Sequence, residues 1–219
     1  MWTNRTKSFG FALAITAIAA SAALPSQASA QEAEGGFANS WFWGVRAGAM
    51  SVQTNVQDEF APMGGLEWLI TRERVGLHIA VGQAFFNDIA VVVPDALGMA
   101  SEVRIQDYRE ASASLLAFPV QWGGLRPYAG IGLALNLVRR ATPIGAPDAE
   151  TIEFIESSRS TISAKITLGA QAQYQNVAIF GEGSVLPTKR EFLLNGEEAV
   201  FMINAGVRFN LGSAIEQFR

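Results

Sequence analysis

The sequence predicts an all-β fold: an eight-stranded antiparallel up-and-down barrel that crosses a membrane. Three observations carry this. Apolar residues recur with a period of two in stretch after stretch, the connections alternate short and long, and charge gathers on one face of the stretches, the other carrying almost none. The last stretch, AVFMINAGVRFNL from Ala199 to Leu211, shows the pattern well. Phe201, Ile203, Ala205, Val207, Phe209 and Leu211 form an apolar face. Met202, Asn204, Gly206, Arg208 and Asn210 form a small or polar one. More than about ten residues of alternation is enough for a tilted strand to cross a bilayer. In lipid such a strand needs every backbone N–H and C=O paired, which only a closed barrel achieves.

The other strands follow in order. Strand 1 spans about Trp41 to Val52, with Trp43, Val45, Ala47 and Ala49 opposing Gly44, Arg46, Gly48 and Met50. Strand 2 spans about Ala61 to Ile70, and strand 3 runs from Val75 to Phe85 after the turn Thr71-Arg72-Glu73-Arg74. Strand 4 lies between Val103 and Val120, and Pro119, which cannot donate to a ladder, marks its end. Strand 5 is PYAGIGLALNLV, strand 6 alternates from Ile162 to Gln173, and strand 7 follows the turn at Gln175-Asn176. The connections 2–3, 4–5 and 6–7 are short; the others run up to about twenty residues, as in barrels with short periplasmic turns and long outer loops. Both termini are then periplasmic.

The N-terminus bears on location. Arg5 and Lys7 precede the apolar run Phe9 to Leu24, and Ala28-Ser29-Ala30 is a small-x-small cleavage site. Residues 1–30 read as a secretory signal peptide; the alternative is an N-terminal anchor helix, against which the run is short. Cleavage would remove two cations and take the formal net charge from −4 to −6. Residues 31–40 read as a flexible leader, 41–211 as the barrel and 212–219 as a C-terminal tail. No later stretch is apolar for eighteen residues, as a membrane helix would require. With no cysteine there is neither a disulfide framework nor a thiolate metal site.

Strand parity places Arg46, Glu67, Glu110, Lys165, Glu182 and Arg208 inside the barrel, three cations balancing three anions. A charge on the lipid face costs roughly 2–4 kcal/mol at midplane, which accounts for the sorting. The expected arrangement is an ion-pair network in which Arg208 meets Glu182 and Arg46 meets Glu67; solvated charges without defined pairs are the alternative. Eight strands enclose a lumen just wide enough to fill with side chains, so no open pore is expected. Trp41, Trp43, Trp68, Trp122, Tyr174 and Phe209 gather at the periplasmic ends, and Phe60, Phe85, Phe86 and Tyr108 at the outer ends, as two aromatic girdles would. The outer loops carry Asp58, Glu59, Asp88, Asp95, Asp148, Glu150, Glu153, Glu156, Glu197 and Glu198. These carboxylates keep exposed loops soluble, or hold divalent cations shared with lipopolysaccharide; no EF-hand spacing is present.

The segments WFWGVRAGAM, RPYAGIGLALNL and INAGVRFNL, with their glycines on the lumen parity, resemble the eight-stranded outer-membrane barrels of the OmpX and OmpA transmembrane-domain type. The resemblance covers about Trp41 to Leu211 and implies location in the outer membrane of a Gram-negative bacterium. It also implies contact with outer-membrane lipid and lipopolysaccharide, and with the barrel assembly machinery during biogenesis. Members commonly end on an aromatic residue that this machinery reads. Here Phe218 is only penultimate, so either Phe209 or Phe218 serves.

Little points to chemistry. The one histidine, His78, has Ile79 and Ala80 after it, where deacylase barrels carry a His-x-Ser element. No phosphate loop and no basic stripe for nucleic acid is present, and no cofactor is expected. The expected role is non-enzymatic: structural, or surface interaction through the outer loops. A lipid-modifying barrel enzyme using His78 and a soluble periplasmic ligand-binding barrel are the alternatives.

Overall fold

A computed structural model describes residues 36–54, 58–92, 101–188, 192–194 and 199–213. The predicted signal peptide, Asp95, Glu197, Glu198 and Phe218 lie outside the described residues. Eight antiparallel strands close into a barrel in simple sequence order: β1 Ser40–Gln53, β2 Asp58–Arg72, β3 Val75–Val92, β4 Ser101–Ala117, β5 Leu125–Pro143, β6 Ser160–Tyr174, β7 Val177–Pro187 and β8 Ala199–Ser213. Closure pairs Val45 of β1 with Leu66 of β2 on one side and with Val207 of β8 on the other. Each strand pairs with both of its neighbours, so the barrel wall is closed, which is what a bilayer demands.

The wall is sorted inside out. Ile131, Leu133, Leu115, Ile162, Leu168, Ile179 and Ile203 are each more than 60 % exposed on its outer face, while Arg208, Lys165 and Glu67 are buried inside. A contiguous apolar belt of this kind has no place in water. Trp41, Trp122, Tyr174 and Phe209 are exposed at the end where β1 begins and β8 ends, with Trp43 and Trp68 half-buried beside them; Phe60 and Phe85 are exposed at the other.

The strands are longer than their alternation suggests, and they absorb much of the expected outer loops. Glu59 lies in β2, and Asp88 lies in β3, buried. The first outer connection shrinks to 54–57. Tyr108 is corrected from an outer-girdle residue to an interior one: it is fully buried and its hydroxyl donates to Asn136 Oδ1 at 2.5 Å. Tyr108 shares the inward parity of Glu110, Ser112 and Ser114, and above it the strand bulges. Asp107 has φ 53°, the β3–β4 register shifts between Ala84 and Asn87, and Ile105 and Tyr108 both face inward. Phe86 packs against the interior cluster as well.

Two further elements close the ends. A helix, α1 Ala149–Ser157, forms in the connection between β5 and β6, where the sequence predicts only a loop. Asp148 caps it by accepting from the Thr151 N–H at 2.8 Å, and Ile155 is buried. Hydrogen bonding from the Thr151 side chain and then from its N–H holds the exposed Asp148 carboxyl below its ordinary range. At the other end the leader is not free throughout. Phe37 is buried against Phe42 and Phe118, with the Arg126 guanidinium 4.3 Å from its ring centroid. The Gly36 carbonyl accepts from Ser40 Oγ and Gln173 Nε2, and Thr71 Oγ1 donates to the Phe37 carbonyl.

Candidate functional site

Buried inward side chains fall into three layers. Phe37, Phe42, Leu69, Leu116, Phe118 and Tyr128 form an apolar layer at the end where β1 begins and β8 ends. Met50, Met63, Ile105, Val138, Ile155, Leu194 and Met202 belong to a larger one toward the opposite end. Between them lie the six charged residues singled out by parity, all inward and all less than 5 % exposed.

Glycines decide which of the six meet. Arg46, Gly65, Gly82 and Glu110 occupy successive paired positions across β1, β2, β3 and β4. With no side chain at the two middle positions, Arg46 lies along the wall and its Nη2 donates to Glu110 Oε2 at 3.1 Å, three strands away. A Cβ at Gly65 would come within 3.2 Å of Arg46 Nε and one at Gly82 within 2.9 Å of Nη2. Gly44 does the same for Arg208. It stands between Arg208 on β8 and Glu67 on β2, and Arg208 Nε crosses it to donate to Glu67 Oε1 at 2.5 Å. Tyr128 reaches over Gly169 to donate to Glu182 Oε2 at 3.0 Å. Small and large interior residues alternate in this way where a narrow barrel must be filled.

Lys165 Nζ completes the set, donating to Glu110 Oε1 at 2.6 Å and to Ser112 Oγ at 3.2 Å. Glu182 sits between the two arginines, 3.7 Å from Arg46 Nη1 and 3.9 Å from Arg208 Nη2, too far for direct hydrogen bonds. The expected partners are therefore corrected. Arg208 keeps the expected ion pair with Glu182 only at 3.9 Å and hydrogen-bonds Glu67, and Arg46 bonds Glu110 rather than Glu67, because each guanidinium extends over glycine past its nearest neighbour. Arg208 also donates to Gln171 Oε1 at 2.7 Å and lies 3.9 Å from the Phe180 ring centroid. Sequence reasoning missed these two contacts, and the glycines at 44, 65 and 82 were the signal that could have located the long reaches.

His78 belongs to the same cluster. Its Nε2 is 3.2 Å from Glu67 Oε2, and Ser114 stands opposite it on β4. Acid, imidazole and hydroxyl on three adjacent strands are the components of a nucleophilic set. His78 is 1 % and Ser114 3 % exposed, and Glu67 is already engaged by Arg208. No group of three or more His, Asp or Glu side chains among the described residues is placed to hold a metal ion.

No protein-family model and no curated protein sequence matches the chain. Solved structures do. Neisserial surface protein A aligns at 13 % identity over 78 % of this chain and 97 % of that one, with a TM-score of 0.54. Ail, the attachment invasion locus protein of Yersinia pestis, solved in complex with the heparin analogue sucrose octasulfate, aligns at 13 % identity over 79 % and 100 %, with a TM-score of 0.47. The outer membrane protein W of E. coli aligns at 16 % identity over 79 % and 99 %, with a TM-score of 0.38. At such identities the likeness to Neisserial surface protein A is one of fold alone, that of a closed eight-stranded antiparallel barrel.

Proposed function

We propose that this chain is an integral protein of the bacterial outer membrane, non-enzymatic, with a lumen closed by its own side chains. Its role is structural, or surface interaction through the outer connections. The observation that carries this reading is the inside-out wall on a closed eight-strand barrel: apolar side chains face out around the circumference while balanced charges are buried within. The layering of the interior supports a lumen that passes no solute, since a solute would have to displace the ring cluster around Phe37 and the packed layer around Met50 and Met202. The burial of His78 supports a non-enzymatic role, because a lipid ester on the outer wall has no route to its imidazole.

Outer-membrane lipid, lipopolysaccharide and the assembly machinery are the partners this reading implies. Cell fractionation followed by gel mobility with and without boiling tests it. The protein is expected in the outer-membrane fraction, with a mobility that changes on heating. Planar-bilayer recordings are expected to show no steady conductance. Recovery in the aqueous fraction without detergent, or lipid turnover abolished by His78→Ala, would overturn it.

A further inference from the structure

The outer wall carries a groove that the ionic interior does not explain. It has a volume of about 460 Å³ and runs along the lipid-facing side from β2 to β5. Two paired rows build it. Gly64, Gln83, Arg109 and Leu137 form the upper row, and Leu66, Val81, Ala111 and Leu135 the row below. The groove exists because Gly64 and Ala111 put almost nothing on the outer face between larger neighbours. Its lining is apolar except at the upper end, where Arg109 Nε donates to Gln83 Oε1 at 3.1 Å.

That upper end is basic. The bulge at Asp107 puts Arg104 on the same outer face as Arg109 on β4, and Arg139 and Arg140 stand beside them on β5. Arg139 is paired with Asp107 at 3.1 Å, whereas Arg104 and Arg140 are exposed and make no ion pair among the described residues. Four guanidinium groups face two outward carboxylates, Glu102 and Asp107, on these two strands. This happens on a chain whose formal net charge is −4. Phe60 and Phe85 are exposed at the same end of the wall, where an arginine snorkels toward headgroups.

We propose that this groove is a binding site for a phosphorylated, acylated lipid of the outer leaflet, lipid A. One acyl chain lies over Gly64 and Ala111, and a phosphate is held by Arg109 with Arg104 or Arg140. Charge complementarity selects the occupant. An apolar channel continuous with unpaired guanidinium groups fits a lipid with an anionic head, and several guanidinium groups suit more than one phosphate. The site rests on the reading of the chain as an outer-membrane barrel with its long connections outside.

The test inserts the full-length barrel into phosphatidylcholine bilayers doped with bisphosphorylated lipid A, extracts it in mild detergent, and counts retained lipid per folded barrel by native mass spectrometry. At least one lipid A is expected to remain bound. Arg109→Gln combined with Arg140→Gln should lower retention at least fivefold. Gly64→Leu should do the same by filling the groove. A Cβ there meets only the Arg46 carbonyl at 3.9 Å, so the wall itself is undisturbed. Gly181→Leu on β7, where a Cβ meets nothing within 4 Å, adds a leucine to the outer face elsewhere and should leave retention unchanged. Equal retention of dephosphorylated lipid A or of phosphatidylglycerol would overturn the proposal, as would unchanged retention in the arginine and Gly64 variants. Insertion into undoped phosphatidylcholine, followed by flotation and heat-shifted mobility, tests the membrane reading separately.

Discussion

Replacing Glu67 by glutamine tests the interior where it is most strongly coupled. Glu67 accepts from Arg208 Nε at 2.5 Å and faces His78 Nε2 at 3.2 Å, with both side chains of the Arg208–Glu67 pair at or below 1 % exposure. Breaking a buried pair by removing one partner costs about 3–5 kcal/mol. Coulomb's law gives a similar figure, about 4 kcal/mol for unit charges 4 Å apart at an effective dielectric of 20. Three features reduce the loss. Glutamine keeps an acceptor oxygen, Gln171 still receives Arg208 at 2.7 Å, and Glu182 remains 3.9 Å away. The expected destabilisation is therefore about 2–4 kcal/mol, read as a shift of the urea midpoint for the barrel in lipid vesicles. Adding Arg208→Met removes the stranded cation and should recover part of the loss, with a coupling energy of about 2 kcal/mol between the two sites. The same cycle on Glu182 and Arg208 should give less than about 1 kcal/mol, since no direct hydrogen bond joins them. Additivity at Glu67 and Arg208, or stronger coupling through Glu182, would refute the pairing over Gly44.

Three other predictions follow from the same geometry. Gly44→Ala should destabilise the barrel by about 1–3 kcal/mol in urea unfolding, because its Cβ would sit 2.8 Å from the Val207 carbonyl oxygen and 3.0 Å from Glu67 Oε1; an unchanged midpoint would mean that Arg208 does not cross there. Ile131→Arg, at a position 69 % exposed on the outer wall, should cost roughly 2–4 kcal/mol of membrane-inserted stability, while Ile131→Leu should cost almost nothing; equal effects would place this stretch outside the membrane core. The Asp148 cap stabilises α1 only while ionised, and its folded pKa lies below the ordinary aspartate range, so its contribution is present above that range and lost as the pH falls through the folded pKa. Hydrogen exchange at the Thr151 amide should accelerate at that pH, and Asp148→Ala should remove the acid dependence.

The strand plan was legible in the sequence because period-two alternation is a local property. Whether Ile166 faces lipid and Thr167 the interior depends only on neighbours along one chain, and parity assigned both faces as the structure has them. The same parity brought Arg46, Glu67, Glu110, Lys165, Glu182 and Arg208 to the inside, since lipid excludes charge. The Asp148 cap of α1 was also readable as an aspartate followed by Ile152 and Ile155, but its nine residues were too short to stand out from a loop. Which charges touch was decided only in the closed barrel. Arg46 bonds Glu110 rather than Glu67 because a guanidinium has the reach of several strands and because Gly65 and Gly82 happen to lie in the same paired row. That row is set by stagger between strands far apart in the chain, and alternation within one strand carries no information about it. The bulge at Asp107 is likewise tertiary. A single residue at φ 53° turned Ile105 inward and left Arg104 and Arg109 together on the outer face, an arrangement that strict alternation forbids.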